Sequence, residues 1–177
     1  RDVTEPIADV LLHHRATTLV HLAFVARRGR NRREVDAIRQ VNLDALAAVL
    51  DSCVRASLSH FIHLSSHTVY GAHPDNPIPL TDKASPRPLP DFPYGYDKYL
   101  SELTIQKFAE QHTEVKVTIL RSCIVLGPSG ASSITGGLFR PWLLGVLGYN
   151  PPLQFLHEDD LARVLTMIIR RKLPGVF

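Results

Sequence analysis

The sequence predicts an α/β protein built on a parallel sheet. Short apolar runs rich in strand formers alternate with segments of helical periodicity. The strand runs are continuously apolar, as strands buried on both faces are. The 177 residues are 45% hydrophobic and 21% charged, the balance of a globular domain and not of a disordered, collagenous or coiled-coil chain. That length corresponds to about one domain. No apolar run approaches the ~18 residues of a membrane span.

The elements follow in order. Pro6 to Arg15 reads as a helix, with Pro6 in its first turn and Ile7, Val10 and Leu11 on one face. Thr18 to Phe24 is a strand run. From about Val41 to Ala56, residues Leu43, Leu46, Ala47, Leu50 and Val54 recur at helical spacing. Phe61 to Ser66 is a second strand, and Pro74 to Pro93 a Pro-rich connection. Tyr94 to Gln111 reads as a helix with Leu100, Leu103 and Phe108 inward. Val115 to Leu120 is a third strand. Residues 127–157 form a loop-rich segment, and a last helix runs from near Glu158 to near Lys172. Gly175-Val176-Phe177 reads as the entry to another strand.

Charge and cysteine content narrow the chemistry. Twenty Lys+Arg against 17 Asp+Glu give a net charge of +3. Part of the excess is local: Arg27, Arg28, Arg30, Arg32 and Arg33 share one short segment. No aromatic residue is interleaved for base stacking, so the segment reads as a solvated loop and no nucleic-acid partner is expected. Cys53 and Cys123 make no disulfide framework; they read as small hydrophobes in a reducing compartment. His13 and His14 are adjacent and lack an i+4 ligand, so no metal site is expected.

In parallel α/β sheets ligands sit beyond the carboxyl ends of the strands. Two segments there carry chemistry. Tyr94 and Lys98 form Tyr-x-x-x-Lys on one face of a helix. A tyrosine near pKa 10 is a poor base at neutral pH, and a nearby ammonium favours its phenolate. Such a tyrosine can take the proton of an alcohol as hydride leaves the carbon. Ser65-Ser66-His67-Thr68-Val69-Tyr70-Gly71 directly follows a buried strand, where hydroxyls can meet a substrate oxygen. His21-Leu22-Ala23 ends the preceding strand, where the small Ala23 either packs in the core or would let a flat cofactor approach the backbone.

With these segments in this order, the chain resembles the extended short-chain dehydrogenase/reductases, in their NAD-dependent epimerase/dehydratase group. Asp2-Val3, Val41-Asn42, Pro93-Tyr94-Gly95-Tyr96-Asp97-Lys98, Leu120-Arg121 and Phe155-Leu156-His157 through Ala162 add to the likeness. The resemblance implies a Rossmann-like, doubly wound parallel sheet, residues 1–177 forming one partial dinucleotide-binding domain. The family's first three strands and glycine loop would precede Asp2, and its substrate region would follow Phe177.

The resemblance also implies roles. Tyr94 would be the general base, Lys98 would hold the nicotinamide ribose, and Ser66 would hydrogen-bond the reacting hydroxyl, with Ser65 and Thr68 as substitutes. Asp2, Leu22, Ala23, Ser65, Cys123 and Ile124 would line NAD or NADP, NAD being favoured, while Arg121 matches a structural arginine. The implied reaction is hydride transfer at a hydroxyl-bearing carbon of a nucleotide-diphosphate sugar, by an epimerase, dehydratase or reductase. The alternatives are a 3-beta-hydroxysteroid-dehydrogenase-like oxidoreductase and a non-catalytic, dinucleotide-binding or scaffolding relative. A cytoplasmic location and a homodimer packed through the helices near Val41 and Tyr94 complete the expectation. Asp97, where the family has Ser or Ala, and Ala45-Leu46, where it has Gly-Thr, depart from its pattern.

Overall fold

The computed structural model describes residues 4–26, 29–129, 148 and 152–177. Helix α1 spans Ala8–His13, strand β1 Thr18–His21, α2 Arg32–Arg55 and β2 His60–Ser66. A short 3-10 helix, His67–Tyr70, leads by way of a long connection to α3, Pro93–Gln111. Then come β3 (Lys116–Ser122), β4 (Ile124–Leu126), β5 (Phe155–His157), α4 (Glu158–Arg171) and β6 (Gly175–Val176). The main sheet has the order β1-β2-β3-β6. Strands β1 and β2 pair in parallel, with Thr18 opposite His60 and His21 opposite His63; β3 and β6 also pair in parallel.

By its contacts the chain divides into two units, residues 1–121 with 172–177, and residues 122–171. In the first, Leu11 of α1, Leu46, Val49, Leu50 and Cys53 of α2, Phe61 of β2, Ile105 and Phe108 of α3 and Ile119 of β3 form one apolar cluster. Burial on this scale is the main favourable term in folding. In the second, β4 and β5 pair in parallel, with Ile124 opposite Phe155. Two carboxylate contacts hold its turn: the Ser129 N–H donates to both Glu158 oxygens at 3.2 Å. This small sheet is not among the strands expected from the sequence; its three-residue strands are too short to show a period.

Helix α2 differs most from expectation. It begins nine residues earlier than Val41, so Arg32 and Arg33 lie in its first turn and not in a loop; Arg27 and Arg28 lie outside the described residues. The start is fixed by a reciprocal cap. The Asn31 side chain accepts from the Glu34 N–H at 3.0 Å, and the Glu34 carboxylate accepts from the Arg30 N–H at 2.8 Å. The buried face of α2 runs through Ile38, Asn42, Ala45, Leu46, Val49, Leu50 and Cys53, so Asn42 turns inward where Leu43 was expected. In α3 the inward residues are Gly95, Asp97, Lys98, Ser101, Glu102, Ile105 and Phe108. Leu103, expected inward, is exposed. The helix itself falls where the sequence predicts it, and its strongly polar inner face is why an apolar stripe misplaces its inward residues.

Candidate active site

The parallel register brings the carboxyl ends of β1 and β2 to one edge of the sheet. Leu22–Ala26 leave from the first, and the 3-10 helix from the second. Ser66 caps that short helix: its Oγ accepts from the Thr68 N–H at 3.3 Å and from the Thr68 hydroxyl at 3.0 Å. Gly95, in the first turn of α3, lets that turn close on the 3-10 helix. A Cβ there would stand 2.8 Å from the Thr68 carbonyl oxygen.

This close approach sets the Tyr94 hydroxyl beside Ser66. Burial pushes the Tyr94 hydroxyl above its usual pKa, and the neighbouring Ser66 hydroxyl works in the opposite direction. Lys98, one turn along α3, is buried; its Nζ donates to the Leu64 carbonyl at 2.8 Å. Burial lowers its pKa to about 8, against the pull of the Glu102 carboxylate. In this geometry it is burial, not the ammonium, that sets the direction of the Tyr94 shift. The Phe24 ring links the two groups. It meets Tyr94 edge to face at 5.5 Å, and Lys98 Nζ lies 4.1 Å from its centroid.

Ser65 points elsewhere. Its hydroxyl donates to Glu102, which is buried and also receives Arg121 through both carboxylate oxygens, at 2.7 Å for Nη2. Arg121 Nη1 donates in turn to the Tyr70 hydroxyl at 3.0 Å. This arrangement leaves Ser65 bracing the site from behind. Asp97 pairs with Arg39 of α2 at 2.6 Å, and burial raises its pKa while Arg39 opposes the rise. Leu22 and Ala23 are exposed just past β1. Cys123 and Ile124 belong to the second unit, where burial raises the Cys123 thiol pKa. Asp2 lies outside the described residues.

Sequence reasoning missed three features. Asn42 holds the loop after β1 at two points, accepting from the Val25 N–H at 2.8 Å and donating to the Val25 carbonyl at 3.2 Å. His21 and His63 meet across β1 and β2, Nδ1 to Nδ1 at 3.0 Å, both buried. Phe24 is the third. Each contact joins residues 17 or more positions apart, and only the register or the loop path reveals it. Among the described residues no group of three or more His, Cys, Asp and Glu side chains could hold a metal ion. No described helix is long and apolar enough to cross a membrane.

Ser66, Tyr94 and Lys98 are thus gathered at the carboxyl edge of a parallel sheet. Residues 2–177 match the NAD-dependent epimerase/dehydratase family, and the chain belongs to it. An uncharacterised protein of Mycobacterium tuberculosis is 26% identical over 181 residues, covering 99% of this chain and 47% of its own length. The UDP-glucose 4-epimerase of Erwinia amylovora is 30% identical over 115 residues, 65% of this chain and 33% of that protein. The chain thus spans less than half the length of these curated relatives. The UDP-glucose 4-epimerase from Stenotrophomonas maltophila, solved with bound NAD, superposes with a TM-score of 0.79 at 20% identity, over 99% of this chain and 60% of that one. The dTDP-glucose 4,6-dehydratase from Streptomyces venezuelae, also with NAD, gives 0.76 at 21% identity, over 99% and 55%. These likenesses establish the Rossmann-like parallel fold.

Proposed function

We propose that the protein carrying this chain is an NAD-dependent epimerase or dehydratase acting on a nucleotide-diphosphate sugar. The observation that carries this reading is the placement of Tyr94 beside Ser66 with Lys98 one helical turn away. A substrate alcohol placed between the two hydroxyls finds a donor and an acceptor. Tyr94 takes the alcohol proton, and Ser66 orients the oxygen that loses it. Lys98 has three N–H donors and gives one to Leu64, which leaves donors for the vicinal hydroxyls of a ribose. Those residues fit a dinucleotide, whose nicotinamide supplies hydride acceptance and return when bound. The family membership and the nucleotide-sugar relatives support the substrate class.

Tyr94→Phe removes the hydroxyl and keeps the ring. We expect kcat with a nucleotide-diphosphate sugar to fall by about 10² to 10⁴, with the NAD dissociation constant within about twofold of wild type. Wild-type turnover in that variant would remove Tyr94 as the base.

A further inference from the structure

Phe24 has no role in the reaction described above, yet its ring touches both titratable groups of the site. It is the third residue past the end of β1, on the stretch that Asn42 pins at Val25. The ring stands at 87° to that of Tyr94, their centroids 5.5 Å apart. The same ring lies beneath the Lys98 ammonium, 4.1 Å from the centroid. A phenyl ring can attract a cation through its π face but gives a hydroxyl no conventional hydrogen bond. With Leu64 holding one N–H, Phe24 stands over part of what Lys98 has left to offer.

We propose that Phe24 is a gating side chain: its ring covers the Tyr94–Lys98 pair and turns aside before a ligand diol can hydrogen-bond to them. The ligand class is the ribose of a dinucleotide, so the proposal rests on the reading of Tyr94 and Lys98 given above. The ring meets both groups at once, and no hydrogen bond or ion pair fixes it in place. Displacing it exchanges a cation–π contact for charge-assisted hydrogen bonds, which are the stronger interaction.

The test uses the full-length protein that carries this chain, with Phe24→Ala and Phe24→Leu, the leucine variant keeping apolar volume should the alanine variant fail to fold. One measurement titrates NAD by calorimetry. The other follows modification of Lys98 by an amine-directed reagent at about pH 9, above the lysine's value of about 8, and needs no cofactor. We expect NAD to bind roughly three- to tenfold more tightly to Phe24→Ala, with Phe24→Leu in between, and Lys98 to be modified faster in both. Faster modification with no NAD binding by any of the three proteins would uphold the cover and overturn the dinucleotide reading. Unchanged modification would overturn the gate, whatever NAD does. Faster modification with unchanged or weaker NAD binding would also overturn it, and would make Phe24 part of the binding surface.

Discussion

His21 and His63 stack at 5.3 Å with their Nδ1 atoms in contact, and neither Nε2 has a partner. One ring must donate and the other accept, so the accepting ring is neutral. Burial lowers His21 to about 4, helped by the Lys98 ammonium from α3; His63 is held well below its ordinary value by burial, Lys98 and His21. A histidine with a depressed folded pKa binds its proton more readily when unfolded. Its stabilising neutrality is complete above the unfolded value near 6.5 and is lost as pH falls toward 4. For His21 alone the difference amounts to about 3 kcal/mol. Denaturant titrations should show stability falling steeply from about pH 6.5 to pH 4, and His63→Phe should flatten that slope. His60, also lowered by burial and by Lys116 and Lys172, keeps part of the dependence in the variant. An unchanged slope would remove the pair as its source.

Helix α3 carries both Tyr94, the proposed base, and Lys98, and its first turn packs closely at Gly95. Alanine is the better helix former by about 1 kcal/mol, yet its Cβ would press on the Thr68 carbonyl, which is backbone and cannot swing away. Gly95→Ala should therefore gain nothing in Tm and should lower kcat more than it lowers stability, because the Ser66–Tyr94 contact opens first. Thermal melts and turnover on one preparation distinguish this from a simple loss of folding. Local pattern made Tyr94, Lys98 and Ser66 legible, since a four-residue spacing and a strand end are read within a few residues. The start of α2 was missed, because the arginines beside the Asn31 cap mask the apolar period before Val41. The inward turn of Asn42 and the reach of Phe24 depend on tertiary packing, which no window along the chain contains.

Across the whole first unit, Glu102 joins four elements. It lies on α3 and holds Ser65 of β2 and Arg121 of β3, and through Arg121 the Tyr70 hydroxyl of the 3-10 helix. Both charged side chains are almost fully buried, at 1% and 4% exposure. Removing one partner of such a pair strands the other charge, at a cost of about 3–5 kcal/mol. Glu102→Ala should lower Tm by roughly 10 °C for a chain of this size, with near-ultraviolet circular dichroism reporting the loss around Tyr70. A shift near 1 °C would show that water reaches Arg121 and that the network is not the brace inferred here. Arg121 was legible only as a structural arginine. Its partners lie 19 and 51 positions away, and only the sheet order brings them together.

The two-point hold of Asn42 on Val25 also sets a clock. A loop free to lift would move over nanoseconds to microseconds or longer, whereas a side chain turning on a fixed backbone does so in picoseconds to nanoseconds. With its backbone neighbour clamped from both sides, Phe24 has only its own torsions to turn. Such a ring equilibrates many times during a single diffusional encounter. Its influence would therefore be felt in how much ligand is held at equilibrium, and rapid-mixing traces would show one phase whose rate rises linearly with ligand concentration. Cutting the clamp with Asn42→Ala would let the backbone lift with the ring, a slower motion that relaxation dispersion would register once it reaches microseconds.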